Sequence, residues 1–426
     1  MRLTVHDFSG HPFQVQLSRH LARRGHQVMH EFSTQYVSGR GRLQVTCDDP
    51  DTLRIEGVTA RRHMRKYAPV GRARFELSYA RAWQARLDER HDDVVVACNV
   101  PLFALASMRR YFEQRNQPWV LWHQDIHSAA VAEELDHRFP GRLAATGRGV
   151  VGRIERAQVR SAQQVVAIHS DFARHYEGWG LNTDHVEVIP NWAPLDEVVP
   201  GERDNAWARE QSVPAEPVRL LYAGTLGRKH NPLLLLELLD AVRAKGVDAM
   251  LIVCSEGVGA DDLVAAAGPR TDVRVLGYQP AERFSEVLAS ADAMVVLLEP
   301  AAAAFSVPSK VQSYLAAGRP TIGLMPAGNA AALDVRSAGG YVGPPTSAGA
   351  QEAAEWLAQR SDPGRVQLTA LGSAARELAT RRSDVGTITD RFEAILARAA
   401  GRASRVAPAT PAVARDATHL ANEVIA

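Results

Sequence analysis

Apolar residues in this 426-residue chain gather into short continuous runs separated by amphipathic stretches, and the two alternate along most of its length. Near the start, Leu3 to His6 reads as a strand and Ser9-Gly10-His11-Pro12 as a turn. Val15, Leu17 and Leu21 then form the buried stripe of a helix ending near Gly25, and Val28 resumes a strand. Further on, VVVAC (94–98), WVLWH (119–123) and QVVAIH (164–169) are apolar throughout and rich in β-branched residues. Strands read this way when helices cover both faces of a parallel sheet. The pattern predicts a doubly wound α/β domain, whose ligands collect beyond the carboxyl ends of its strands.

The alternation restarts after EVIPNWAPLDEVVPGERDN, a stretch with three prolines between residues 190 and 205 that predicts an interdomain linker. RLLYAG (219–224), a helix from about Pro232, AMLIVC (249–254) and VRVLG (273–277) open a second series. AMVVLL (293–298), a helix from about Ser309 and TIGL (321–324) continue it. The chain therefore reads as two Rossmann-like domains, residues 1–190 and 191–400, followed by a disordered tail over 401–426, which is rich in Ala, Pro and Arg.

Length and composition agree with this division. A chain of 426 residues exceeds the size at which one core stops growing. With 46% hydrophobic and 23% charged residues it has the balance of a soluble globular protein, and no apolar run is long enough to span a bilayer. MRLTVHDFSG lacks the parts of a secretory signal, so a cytosolic location is expected. Cys47, Cys98 and Cys254 show no metal-ligand spacing, which suits thiols in a reducing compartment. The net charge of +1 conceals a basic stretch containing Arg61, Arg62, His63, Arg65, Lys66, Arg72 and Arg74. It suits an anionic inner membrane face or an anionic substrate, and a solvated loop is the plainer reading.

Three segments carry candidate chemistry. AGTLGRKHNPLLLLELLDAV sets Gly224, Thr225 and Gly227 after a strand, with Arg228 and Lys229 just before a helix. Glycines that admit an anion, helix-start N–H groups and two cations together suggest a phosphate cradle; an ordinary strand-to-helix turn is the alternative. FSVPSKVQSYLAAGRPTIG offers a second helix start at Ser309 and Lys310. Two such starts in one domain would hold a nucleoside diphosphate and stabilise it as it leaves. WHQDIHS places His123, Asp125 and His127 directly after an apolar strand, where doubly wound domains place ligands. Asp125, with His123, is read here as the catalytic pair. His123 and His127 have no evident third metal ligand, so no metal is expected. No G-x-G-x-x-G follows the first strand, which argues against a dinucleotide dehydrogenase.

Together these segments resemble glycosyltransferase family 4, of the GT-B fold. HDFSGHPFQVQLSRHLARRGHQV is similar to that family's opening strand, loop and helix, and HSDFARHYEGWGL with VEVIPNW to the segment ending on an Asn at the domain junction. VRVLGYQP with ASADAMVVLL is similar to the family's base-side loop and the strand after it, and PSKVQSYLAAGRPTIG most closely resembles bacterial exopolysaccharide and O-antigen transferases such as colanic acid and fucosaminyl enzymes. The resemblance implies retaining transfer of a sugar from a nucleoside diphosphate to a saccharide or lipid-linked acceptor, with no bound cofactor or metal and no nucleic-acid partner. It assigns phosphate binding to Lys229, donor contacts to Ser309 and Lys310, an acceptor or cleft role to His127 and a hinge to Asn191, while the Gly10 loop, like Gly224, is read as a point of close backbone approach to phosphate or acceptor. The chain departs from the family at three positions. The usual arginine falls at Thr225, leaving Arg228 as its replacement, and the family's glutamate pair falls at Phe305 and Ser313. Glu299 is the nearest carboxylate upstream. The alternatives are a sugar-nucleotide 2-epimerase and a non-catalytic nucleotide-sugar-binding scaffold, which the missing glutamates favour.

Overall fold

The computed structural model describes residues 1–36, 39–64, 69–138, 141–227, 230–304, 306–362 and 364–401. Residues 402–426, expected as a tail, lie outside the described residues, as do Arg65 and Lys66 of the basic stretch.

The first half folds as β1 (Arg2–Asp7), α1 (Pro12–Arg23), β2 (Gln27–Ser33), β3 (Leu53–Val58), α2 (Pro69–Asp88), β4 (Val94–Cys98) and α3 (Leu102–Arg115). It continues with β5 (Trp119–His123), α4 (His127–Arg138), α5 (Gly141–Ser161), β6 (Gln164–Ala167), α6 (Ser170–Gly178) and β7 (Val186–Val188). The strands form a parallel sheet of order β3-β2-β1-β4-β5-β6-β7. β4 and β5 are buried at every position, as the apolar runs predict. β3 is an edge strand paired only with β2, so Arg54 and Glu56 remain accessible and no continuous apolar run marks it.

The second half begins with α7 (Ala206–Glu210), β8 (Val218–Ala223), α8 (Leu234–Ala244), β9 (Ala249–Cys254), α9 (Val258–Ala267), β10 (Val273–Leu276) and α10 (Phe284–Ala289). It ends with β11 (Ala293–Leu297), α11 (Lys310–Ala316), β12 (Thr321–Leu324), α12 (Ala330–Ser337), β13 (Tyr341–Gly343), α13 (Ser347–Ala358), α14 (Val366–Arg382) and α15 (Val385–Ala399). Its parallel sheet has the order β10-β9-β8-β11-β12-β13. The fold is therefore GT-B in kind: two doubly wound Rossmann-like domains. Among the described residues no helix is long and apolar enough to cross a membrane.

In each sheet the strand order reverses once, between β1 and β4 in the first and between β8 and β11 in the second. Connections leave in opposite directions there, opening a crevice at the strand ends. The last helix, which the sequence pattern groups with the second domain, packs on the first: Phe392 of α15 lies 4.7 Å, ring to ring, from Trp122 of β5. Trp122 stacks in turn on Trp192, 5.7 Å away, and Arg24 of the first domain reaches Asp390 and Glu393 at 2.5 Å.

Candidate functional site

At the first reversal point, Asp7 ends β1 with its carboxylate buried. Oδ1 accepts from the Ser9 amide at 3.2 Å and from Asn99 Nδ2 at 2.7 Å, while Oδ2 accepts from the His11 amide at 2.5 Å. One side chain thus ties the loop after β1 to the loop after β4. Gly10 makes the turn with φ +74°, and a Cβ there would meet Leu43 Cδ1 at 2.7 Å. Only glycine suits that backbone at that distance.

After β5 the chain presents His123, Gln124, Asp125 and His127. His123 is buried, and its Nδ1 meets Tyr176 Oη at 2.6 Å while Nε2 meets Glu155 Oε1 at 3.1 Å. Glu155, from the middle of α5, also accepts from the amides of His127, at 2.7 Å, and Ser128, at 2.9 Å. It therefore satisfies the otherwise unpaired start of α4. Burial works to raise the Glu155 pKa, but the bond and charge of His123 and the charge of His127 outweigh it and hold it at about 2. Burial lowers the His127 pKa, which favours its neutral imidazole. His123, His127 and Glu155 bring ligand atoms within 4.8 Å of one another, so Glu155 is the third metal-ligand type that the sequence does not reveal. A cation between His123 Nε2 and Glu155 Oε1 would have to replace the hydrogen bond that joins them. Gln124 and Asn191 exchange two amide bonds, 2.8 and 3.0 Å, fastening the end of the first domain to its β5 loop.

The second reversal point is organised by uncharged groups. Tyr222 of β8 donates its hydroxyl to the Thr225 carbonyl at 2.8 Å, and Thr225 Oγ1 meets Tyr278 Oη at 2.7 Å. The Lys310 ammonium donates to Tyr222 Oη and sits 3.7 Å from the centre of its ring. Gly224 makes room for it: a Cβ there would lie 3.2 Å from Lys310 Cε, at a φ of +127°. The Leu226 amide donates to Ser255 Oγ at 3.0 Å and the Gly227 amide to His230 Nδ1 at 3.1 Å. These two amides of the expected phosphate cradle are therefore occupied within the protein.

Both crevices open into one cavity of about 400 Å³, lined by Phe8, Ser9, His11, Asn99 and Asp125 from the first domain and by Gly224, Thr225, Tyr278, Ser309 and Lys310 from the second, among others. Its charged lining among the described residues consists of Arg40, Arg72, Lys310 and the single carboxylate Asp125. This is a cleft suited to an anionic ligand.

Residues 13–197 match the family described as Glycosyltransferase Family 4, and residues 217–360 match that described as Glycosyl transferases group 1. The chain is a glycosyltransferase of the family 4 type. No curated protein matches it. Sucrose-phosphate synthase from Thermosynechococcus elongatus superposes with a TM-score of 0.66 at 15% identity, covering 92% of this chain and 97% of that one. HepE from Anabaena, solved in complex with UDP and glucose, gives 0.62 at 15% identity, covering 92% and 98%. WaaG, a glycosyltransferase involved in lipopolysaccharide biosynthesis, gives 0.63 at 17%, covering 93% and 99%. At such identities the likeness is one of fold.

Within this glycosyltransferase, Asp125, His127, Gly224, Thr225, Ser309 and Lys310 all line the cavity. His123 is not among the lining residues, and both its ring nitrogens are engaged, by Tyr176 and Glu155. Gly10 backs the cavity between the lining residues Ser9 and His11, and Asn191 and Gly227 also stand outside the lining. Arg228, Lys229 and Phe305 lie outside the described residues. Ser313 lines the cavity where the family's second glutamate falls, whereas Glu299 does not. Arg40, His230, Tyr278 and the supporting Tyr222 and Glu155 carry no local sequence signal; each acquires its place through contacts distant along the chain.

Proposed function

We propose that the glycosyltransferase moves a sugar, with retention of configuration, from a nucleoside diphosphate to a saccharide or lipid-linked saccharide acceptor in the synthesis of a bacterial cell-surface polysaccharide. The observation that carries this reading is the single cavity between the two reversal points, with Arg40, Arg72 and Lys310 against one carboxylate. The second domain would take the nucleotide. Lys310, steered by Tyr222, meets the diphosphate and stabilises the charge that grows as the sugar departs. Arg228 and Lys229 join it on the strength of the family resemblance. In this reading the C1–oxygen bond to the diphosphate breaks while a bond to the acceptor oxygen forms on the same face. Asp125 accepts the hydrogen bond of the attacking hydroxyl and takes its proton. The fold relative HepE was solved with UDP-glucose, which makes UDP-sugars the first donors to try.

The exposed Arg61 and Arg62 run up to Met64, which lines the cavity, so the described part of the basic stretch stands beside the cleft mouth. There it would face the anionic inner leaflet and a lipid-linked acceptor held in it.

Purified protein incubated with UDP-, GDP- and dTDP-sugars and a lipid-diphosphate sugar extract, followed by chromatography of released nucleotide, tests the reading. Acceptor-dependent release, lowered most in Lys310→Ala and less in Asp125→Ala, supports it. Tight nucleotide binding without turnover under every acceptor would leave a non-catalytic binding protein, and nucleotide-sugar interconversion without release would leave an epimerase. Turnover should survive EDTA; loss on chelation, restored by a divalent cation, would instead assign a metal to His123, His127 and Glu155.

A further inference from the structure

The three basic side chains of the cavity are held differently. Lys310 rests on Tyr222, and Arg72 donates through Nε to Glu76 at 2.8 Å. Arg40 donates from Nη2 to the carbonyls of Ser33, at 2.9 Å, and Tyr36, at 2.6 Å. Those bonds pin its guanidinium at the end of β2 and use both hydrogens of Nη2. A guanidinium has five N–H donors, so three remain, on Nε and Nη1. Among the described residues nothing accepts from them and no carboxylate pairs with the charge. The ring of Phe32 lies 5.5 Å from the guanidinium carbon, and burial pushes the pKa down with no acid to restore it. An arginine does not relieve such a position by losing its proton. It keeps a charge that is partly desolvated, fixed in direction and open to the cavity.

We propose that Arg40 binds an acidic group of the acceptor, so that the acceptor is a phosphate- or carboxylate-bearing saccharide rather than a neutral one. The proposal rests on the transferase reading above. Its site is on the first domain's wall: β2 lies on the far side of β1 from β4, and the second domain brings Lys310 of its own to the cavity. Phe8, Tyr36 and Met64 line the same wall and offer apolar surface to a sugar ring beside the anion. The remaining N–H groups would form charge-assisted hydrogen bonds with phosphate or carboxylate oxygens.

The test uses the full chain as wild type, Arg40→Gln and Arg40→Lys, each checked for an unchanged melting temperature. UDP affinity is measured by calorimetry. At saturating UDP, binding of glucose, glucose 1-phosphate and glucuronate is then compared, and kcat/KM is determined for matched neutral and acidic acceptors. Wild type should favour the acidic member of each pair by about tenfold or more. Arg40→Gln should erase that preference through KM, with UDP affinity unchanged, and Arg40→Lys should keep part of it. A preference for the 1-phosphate over glucuronate would identify phosphate as the group, and the reverse would identify carboxylate. Equal use of neutral and acidic partners by wild type overturns the proposal, as does a loss of UDP affinity in Arg40→Gln, which would move the arginine to the donor. Absence of UDP binding, or of any other nucleotide's, in wild type would instead defeat the transferase reading itself.

Discussion

The two walls of the cleft are built on the same topology and held by opposite chemistry. On the first wall one buried carboxylate, Asp7, gathers the loops after β1 and β4 through three hydrogen bonds. On the second, phenols, hydroxyls and an imidazole do the same work: Tyr222, Tyr278, Thr225, Ser255 and His230. Among the described lining residues the second domain contributes no carboxylate at all. If the second wall receives a diphosphate, as proposed, it gains from this, because a fixed negative charge beside it would repel the phosphates through a low-dielectric medium. The first wall is free to use a carboxylate as its clasp.

The sharpest way to break this contrast is to remove the cation of the second wall. Lys310→Ala should lower turnover roughly 100-fold, the scale of losing one preorganised electrostatic contact, with thermal stability nearly unchanged. The clasp of the first wall should answer in the opposite sense. Asp7→Ala leaves three donors unsatisfied and should cost about 3 kcal/mol of stability by denaturant titration. UDP affinity, which the proposed function assigns to the other wall, should stay within a factor of about two by calorimetry. A smaller effect sharpens the role of the neutral clasps: Tyr222→Phe keeps the ring under Lys310 but loses the hydroxyl, and should weaken UDP binding about tenfold. Asn191→Ala, which breaks the paired amides with Gln124, should cost only about 1 kcal/mol.

Acid provides a further probe of the first domain. The Glu155 pKa is depressed to about 2 from an ordinary 4.5, so its contribution to stability is complete above 4.5 and is lost as pH falls from there towards 2. Glu155→Gln removes that dependence. The stability gap between wild type and variant, measured by urea titration, should therefore narrow steadily across this window; a constant gap would deny the carboxylate its assigned partners.

Much of this architecture was legible because strands buried on both faces must be apolar at every position, as Val94 to Cys98 and Ala249 to Cys254 are. β3 was not, since an edge strand with Arg54 and Glu56 in it lacks that pressure. The cavity-lining Asp125, Ser309 and Lys310 could be found because they follow strand or turn signals in short order. Glu155 could not: it is one acid in a helix, 32 residues from His123, and only the fold, which packs α5 against α3 and α4, joins them. Tyr222 reads as one more apolar position in a core strand, and nothing local says that Lys310, 88 residues on, rests on it. Arg40 lies in a loop with no motif, and only the structure shows that it is held by two carbonyls and, among the described residues, by no acid.

The seat of α15 against Trp122 and Trp192 sets the order in which this chain can mature. A ribosome delivers the first sheet early, yet the helix that covers Trp122 of that sheet, Val385–Ala399, emerges only after every strand of the second sheet. The second domain can complete its own sheet while the first still waits with an aromatic face uncovered. Nascent chains stalled before residue 385 should therefore hold a half-finished first domain, a natural docking point for chaperones and a point of vulnerability to premature stops.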